Sequence, residues 1–166
     1  MKLELKKIKY CKWASEETYC YNAVVYVDGK AMISVSNDGK GGGNSEWAIK
    51  PFTQQDVDKV NDWCEKNLPK WKGFEGKDYT TDLELWCGEQ MSKYIDAKYL
   101  KSDFNRDMKS KILFVVDKEL KEIKFKKCRR LTDEHFKWFK SKHPNLIALN
   151  HMSNDKAFEI YAKHLK

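Results

Sequence analysis

Hydrophobic and polar residues alternate along the first third of the chain, which is the pattern of strands with one buried face. The alternation predicts a first strand over residues 3–13, broken near residues 6–7, and a second strand over residues 19–27. An Asp-Gly pair follows the second strand and is typical of a two-residue turn with positive φ at both positions. Residues 31–35 are then expected to pair back antiparallel. The apolar face of the second strand consists of Tyr21, Ala23, Val25 and Val27.

Apolar residues repeat at helical spacing in much of the remaining chain. A first helix is predicted after Thr53, a good N-cap with an aspartate three residues later, and it ends at Pro69. An irregular segment rich in aromatic residues and glycine covers residues 70–79. A longer helix is predicted to begin at Thr81 and to end before or near Phe104.

A second group of strands and helices follows. Residues 112–116 are all apolar and predict a buried strand, and the alternation over residues 123–126 predicts its hairpin partner. A short helix is predicted over residues 131–143, and a strand-like piece over residues 146–149. A terminal helix begins after residues 153–154. Its inward-facing residues are expected to be Phe158, Tyr161 and Leu165.

The order of these elements indicates the fold class. Strands come first, then two helices, then strands and helices again, which predicts an α+β fold. We expect an antiparallel sheet built from two or more hairpins, with helices packed on one side. The sequence contains no linker and no internal repeat, so residues 1–166 are predicted to form a single domain.

The composition is that of a globular protein, with 41% hydrophobic and 34% charged residues. No stretch approaches the roughly 20 apolar residues of a membrane span, and the N-terminus lacks an apolar signal core. We therefore expect a cytoplasmic protein with no membrane partner. The five cysteines form no C-x-x-C pair, so reduced thiols in the core are expected rather than a zinc site.

The net charge of +7 is concentrated in one segment. Residues 109–142 hold twelve Lys and Arg against five Asp and Glu, and the charges elsewhere balance. Such a block attracts nucleic acid, nucleotides or an acidic protein, or it is only a solvated lysine-rich face. With Trp138 and Phe139 close behind, its densest run has the cations and aromatic rings used to bind single strands. The candidate contacts with nucleic acid or a partner are Lys124, Lys126, Lys127, Arg129 and Arg130.

A loop over residues 36–44 holds half of the glycines in the chain. Backbone N–H groups in glycine-rich turns form positive concavities that bind anions, so this loop is a candidate ligand site. It is not a Walker A loop, because its lysine precedes the glycines and no helix follows directly. The alternative is a wide hairpin or a packed turn. The candidate ligand-binding residues are Asn37, Asp38, Lys40, Gly41, Gly42, Gly43, Asn44 and Trp47.

Three short motifs run through the same region: S-x-E-T-x-C-Y at residues 15–21, V-D-G-K at residues 27–30 and V-S-N-D-G-x-G-G at residues 35–42. Together they resemble the N-terminal part of small, mostly uncharacterised accessory proteins encoded by phages and related mobile elements. The resemblance covers about the first quarter of the chain. It implies a stoichiometric inhibitor or sequestering protein in the host cytoplasm, aimed at a host defence effector or a nucleotide second messenger.

Three functional hypotheses follow. The first is a non-enzymatic binding protein that captures a phosphate-bearing ligand or a host effector protein, with Trp47 or Tyr79 stacking on a base or partner. The second is a protein that binds nucleic acid directly through residues 109–142. The third is a small enzyme acting on nucleotides or phosphoesters, which needs Glu17, Asp38 and a histidine in one pocket. Because no hydrolase or metal-ligand spacing is present, we expect no catalytic residue, no metal and no cofactor.

Overall fold

The computed structural model describes residues 1–73, 76–124 and 133–165. Its residues form two compact units, 1–94 and 95–166. Both contain helices and antiparallel strands, so the predicted α+β fold class is confirmed. The single domain stays a prediction.

Four antiparallel strands form the sheet of the first unit, in the order of the chain. The strands are β1 (Leu3–Tyr10), β2 (Tyr21–Val27), β3 (Lys30–Asn37) and β4 (Ser45–Ala48). The turn between β2 and β3 has φ values of 48° at Asp28 and 81° at Gly29, which confirms the predicted hairpin turn. The predicted apolar face of β2 is also confirmed, because all four of its residues are buried.

Strand β4 was not predicted from the sequence. The strand is only four residues long, and its central pair is Glu46 and Trp47, which do not form an apolar alternation. Glu46 lies opposite Val35 and shares the buried face of the sheet, whereas Trp47 lies opposite Ser34 on the other face. The glycine-rich loop is therefore the connection of a wide β3–β4 hairpin.

Helix α1 (Gln54–Asn67) begins as predicted, with a capping box between Thr53 and Asp56. Two short strands, β5 (Trp71–Lys72) and β6 (Asp78–Tyr79), pair within the segment that was expected to be irregular. Helix α2 (Leu83–Ser110) begins two residues after the predicted start and extends six residues beyond Phe104. Its stripe of apolar residues becomes sparse after Phe104, so the hydrophobic pattern alone underestimated its length.

The second unit contains a three-stranded sheet with β7 (Ile112–Val116) between its two partners. The partners are β8 (Glu119–Ile123) and β9 (Ile147–Ala148), and helices α3 (Asp133–Lys142) and α4 (Asn154–His164) complete the unit. Five consecutive residues of β7 are buried, as predicted. Phe104 and Tyr161 pack with Leu113 and Leu149 in the core, whereas Leu165, expected to face inward, is 54% exposed.

Asn150 fixes the end of β7. Its side-chain oxygen accepts a hydrogen bond from the Leu113 N–H at 2.7 Å, and its amide nitrogen donates to the carbonyl oxygen of Lys111 at 3.2 Å. Within the described part of the chain, no helix has the length and apolar character needed to cross a bilayer. The cysteines described, Cys11, Cys20, Cys64 and Cys87, are free thiols, and Cys128 lies outside the described residues.

Candidate functional site

The side chain of Asn37 organises the glycine-rich loop. Its oxygen accepts hydrogen bonds from the Thr18 hydroxyl and from the Gly39 N–H, both at 2.8 Å. Its amide nitrogen donates to the carbonyl oxygen of Gly42 at 2.9 Å and to the side-chain oxygen of Asn44 at 3.2 Å. One side chain thus joins both ends of the loop and attaches the loop to the 15–20 segment.

Gly39 is the point where the loop and that segment meet. Its carbonyl oxygen accepts hydrogen bonds from three consecutive N–H groups, those of Glu16, Glu17 and Thr18, at 3.0 to 3.3 Å. Its φ is +85°, and an added Cβ would overlap the carbonyl oxygen of Ala14. The concavity formed by the N–H groups of residues 16–18 is therefore filled by the chain itself.

Several N–H groups of the loop have partners within the protein. The Lys40 N–H donates to the Asp38 carboxylate at 3.1 Å, and the Gly41 N–H donates to the Thr18 hydroxyl at 3.3 Å. The Asn44 N–H donates to a carboxylate oxygen of Glu84 at 3.0 Å. The loop therefore already binds an anionic group of the protein itself, the Glu84 carboxylate.

A cavity of about 950 Å³ opens beside this loop, within the first unit. Its lining comes from the end of β1, the 15–19 connection, the loop itself, Trp71 and the first three turns of α2. A volume of this size is near the upper end of the range for small-molecule sites, which is roughly 300–1,000 Å³. Among the predicted ligand-binding residues, Asn37, Gly42 and Asn44 line it.

The lining of the cavity is strongly acidic. It includes one basic residue, Lys12, and five carboxylates. The carboxylates belong to Glu16, Glu17, Asp82, Glu84 and Glu89. Glu17 lies against Gly41, where an added Cβ would collide with a carboxylate oxygen. Glu89 is 3.6 Å from the ammonium group of Lys93, so its charge is partly balanced. The remaining acids give the cavity a negative field.

The N-terminus of α2 is occupied by its own acidic residues. Asp82 precedes the helix and accepts a hydrogen bond from the Leu85 N–H at 2.7 Å, as an N-cap does. Glu84 follows in the first turn, where a carboxylate interacts favourably with the helix dipole. An external anion would have to compete with both carboxylates at this helix end.

Aromatic rings form part of the cavity wall. Tyr10 and Tyr19 meet edge to face with ring centroids 6.2 Å apart, and Trp71 packs against Tyr79 at 6.0 Å. The hydroxyl group of Tyr21 donates to the side-chain oxygen of Asn44 at 3.1 Å, and burial raises the pKa of this phenol above its usual range. The cavity thus combines carboxylates with partly exposed aromatic side chains, those of Tyr19 and Trp71.

Glu46 is a half-buried acid next to this region. One of its carboxylate oxygens is fully buried and accepts no hydrogen bond within the described residues. Burial and, to a lesser extent, the nearby charges of Glu84 and Asp82 together raise the pKa of Glu46 to about 7. Glu46 is therefore a carboxyl group that changes charge near neutral pH.

The other predicted ligand-binding residues lie outside the cavity lining. Asp38 and Lys40 are exposed on the loop. Gly41 lies against the side chain of Glu17, and Gly43 lies against that of Glu84. Trp47 is 68% exposed on the face of the sheet opposite to Glu46. The structure therefore separates Trp47 from the loop residues with which it was grouped.

Of the predicted basic contact residues, Lys124 is exposed after β8. The other four, Lys126, Lys127, Arg129 and Arg130, lie outside the described residues. The ring of His151 stacks on that of Phe136, with ring centroids 4.6 Å apart. No three Cys, His, Asp or Glu residues come together as metal ligands in the ranges that the structure describes.

Sequence reasoning missed the part of the cavity contributed by α2. Leu85, Gly88, Glu89 and Ser92 share one helix face and line the cavity, together with Asp82 and Glu84. A signal was present, because a glycine in mid-helix is unfavourable and the face it shares with Ser92 is not apolar.

Comparison of the chain with protein-family models, curated proteins and solved structures finds no match.

Proposed function

We propose that this protein is a phage-type, non-enzymatic binding protein that counters a host defence system by stoichiometric capture of an effector protein. In this proposal a basic side chain of the effector enters the acidic cavity of the first unit. The phage context comes from the motifs at residues 15–42, and the cavity supplies the chemistry of recognition.

The observation that carries the proposal is the combination of acidic and aromatic groups in the cavity lining. Carboxylates pair with ammonium and guanidinium groups, and aromatic faces attract the same cations when they lie above the ring. A guanidinium group is favoured over an ammonium group because it is planar, binds carboxylates through two hydrogen bonds and stacks on rings. An arginine side chain of the partner is therefore the proposed occupant.

The same lining speaks against the capture of a phosphate-bearing ligand in this cavity. A phosphate group there would face several carboxylates, and the N–H group of Asn44, a loop residue that lines the cavity, already donates to Glu84. Like charges in a partly desolvated site repel strongly. Capture of a nucleotide stays a prediction with less support than capture of a basic protein segment.

Calorimetric titration with a short peptide bearing one central arginine tests the proposal. We expect the arginine peptide to bind, and the same peptide with neutral citrulline to bind at least about tenfold more weakly, because hydrogen bonds to charged groups contribute about 1.5–3 kcal/mol. Cyclic dinucleotides and nucleoside triphosphates are titrated in parallel. Tighter binding of a nucleotide than of the arginine peptide would contradict the proposal.

Removing two cavity charges is the matching change in the protein. Glu17→Gln combined with Glu84→Gln keeps both side-chain lengths and retains an acceptor for the Asn44 N–H. We expect the double variant to bind the arginine peptide at least about tenfold more weakly. The control is Glu134→Gln with Glu159→Gln, which removes two exposed carboxylates from α3 and α4. Equal weakening in both double variants would indicate a general charge effect and not a site.

A further inference from the structure

A second surface of the first unit lies on the face of the sheet opposite to the buried one. On β1, the pairing shifts between Lys6 and Lys9: Lys6 lies opposite Val24, and Lys9 lies opposite Asn22. Three residue steps on β1 thus match two on β2, which is a β-bulge, and Lys7 within it has a φ of +54°. Positive φ is unfavourable for lysine, so this conformation is retained against a local cost.

The bulge brings lysines to one face that a regular strand would divide between two faces. Val24 and Asn22 alternate with buried residues of β2, so Lys6 and Lys9 both lie on the outer face. The ammonium groups of Lys6 and Lys7 lie 4.9 Å and 6.0 Å from the ring centroid of Tyr26 on the same face. Glu4 is the acidic residue of β1, and it pairs with Lys6 at 3.1 Å. The lysines therefore leave this edge of the face positively charged.

The opposite edge of the same face carries an exposed aromatic ring. A cross-strand row runs from Lys6 through Val24 and Ser34 to Trp47 on β4. Trp47 is 68% exposed, and the residues between it and the lysines are small or short: Asn22, Val24, Ser34 and Ser36. With strands about 4.8 Å apart, the row spans roughly 14 Å. Short side chains thus separate the lysines at one edge of the face from the exposed ring at the other.

We propose that this outer face of the sheet binds single-stranded nucleic acid. The lysines of β1 contact phosphates, and the Trp47 ring stacks on a base, the combination that proteins use to bind single strands with little sequence preference. The polar side chains in the middle of the face donate and accept hydrogen bonds with base edges. A duplex fits less well, because its bases are not available for stacking on Trp47.

Fluorescence anisotropy with a labelled oligothymidylate, measured at several salt concentrations, tests this proposal. Lys6→Gln with Lys9→Gln is expected to weaken binding and to reduce the slope of log affinity against log salt by about 1.4, since each phosphate contact on a single strand contributes about 0.7. Trp47→Ala is expected to weaken binding at least about fivefold while leaving the salt slope unchanged.

Matched controls come from α3, within the basic segment of the second unit. Lys137→Gln with Lys140→Gln removes the same charge, and Trp138→Ala removes a ring that is 57% exposed. We expect both to bind the oligonucleotide as the wild type does. The proposal is overturned if the wild type does not bind, if a duplex or a polyglutamate peptide binds as tightly, or if the α3 variants lose as much affinity as the sheet variants. Melting temperatures verify that every variant is folded.

Discussion

Replacing Gly39 with alanine is expected to destabilise the protein by about 2–5 kcal/mol. The left-handed conformation costs a residue with a Cβ roughly 1–2 kcal/mol, and an atom forced into a packed site adds about 1–3 kcal/mol. Gly39 combines both conditions, because its φ is +85° and the obstructing atoms are the Ala14 carbonyl oxygen and the Cβ of Cys20. Neither obstruction is the mobile end of a side chain. Urea unfolding followed by circular dichroism measures the loss.

Gly42→Ala is the matched control in the same loop. No atom lies within 4 Å of a Cβ built at Gly42, and its φ is outside the left-handed region. We expect the free energy of unfolding to stay the same or to rise by up to about 1 kcal/mol, because alanine restricts the unfolded chain. If Gly39→Ala and Gly42→Ala change the free energy of unfolding by the same amount, the attachment of the loop to residues 15–18 does not stabilise this hairpin.

The glycine-rich loop shows what sequence reasoning can and cannot predict here. The concentration of glycines indicated that backbone freedom is needed, and Gly39 and Gly41 do have positive φ. The sequence did not indicate which glycine is indispensable, because that depends on Ala14 and Cys20, which are distant along the chain. The structure also gives a role to residues of the motifs at 15–21 and 35–42. Ser15, Thr18 and Asn37 form hydrogen bonds within and between these segments.

The acidic cavity could not be predicted from local pattern, since its carboxylates come from residues 16–17 and from residues 82–89. The charge pattern along the chain instead predicted a binding site in the basic segment, residues 109–142. The strands themselves were easier to predict, because alternation and the Asp-Gly turn are local signals. Strand β4 was missed because an inward glutamate replaces the apolar residue that the pattern requires.

Glu46 makes the stability of the protein depend on pH. Its pKa in the folded state is about 7, above the ordinary value of 4.5, so the folded state binds a proton that the unfolded state has already released. Because this pKa is raised, the contribution of Glu46 to stability is largest below about pH 4.5 and falls as pH rises to 7. The difference between the two pKa values corresponds to at most about 3 kcal/mol, since one pKa unit is 1.36 kcal/mol and solvent screens part of the charge on this half-buried side chain. Above the folded-state pKa the loss is complete and constant.

Glu46→Gln is therefore expected to stabilise the protein by about 2–3 kcal/mol at about pH 8 and by less than about 1 kcal/mol at about pH 5. Glutamine keeps the shape of the side chain without the charge, and its amide group can donate towards the carboxylates of Glu84 and Asp82. The measurement is the difference in unfolding free energy between variant and wild type across this pH range, which cancels titrations common to both. Glu159→Gln, on the exposed face of α4, is the control and should show a constant difference near zero.

A difference for Glu46→Gln that does not grow between pH 5 and pH 8 would mean that water or a counter-ion reaches the Glu46 carboxylate. An arginine peptide bound in the cavity should reduce the difference, because a cation beside Glu84 and Asp82 favours the charged form of Glu46.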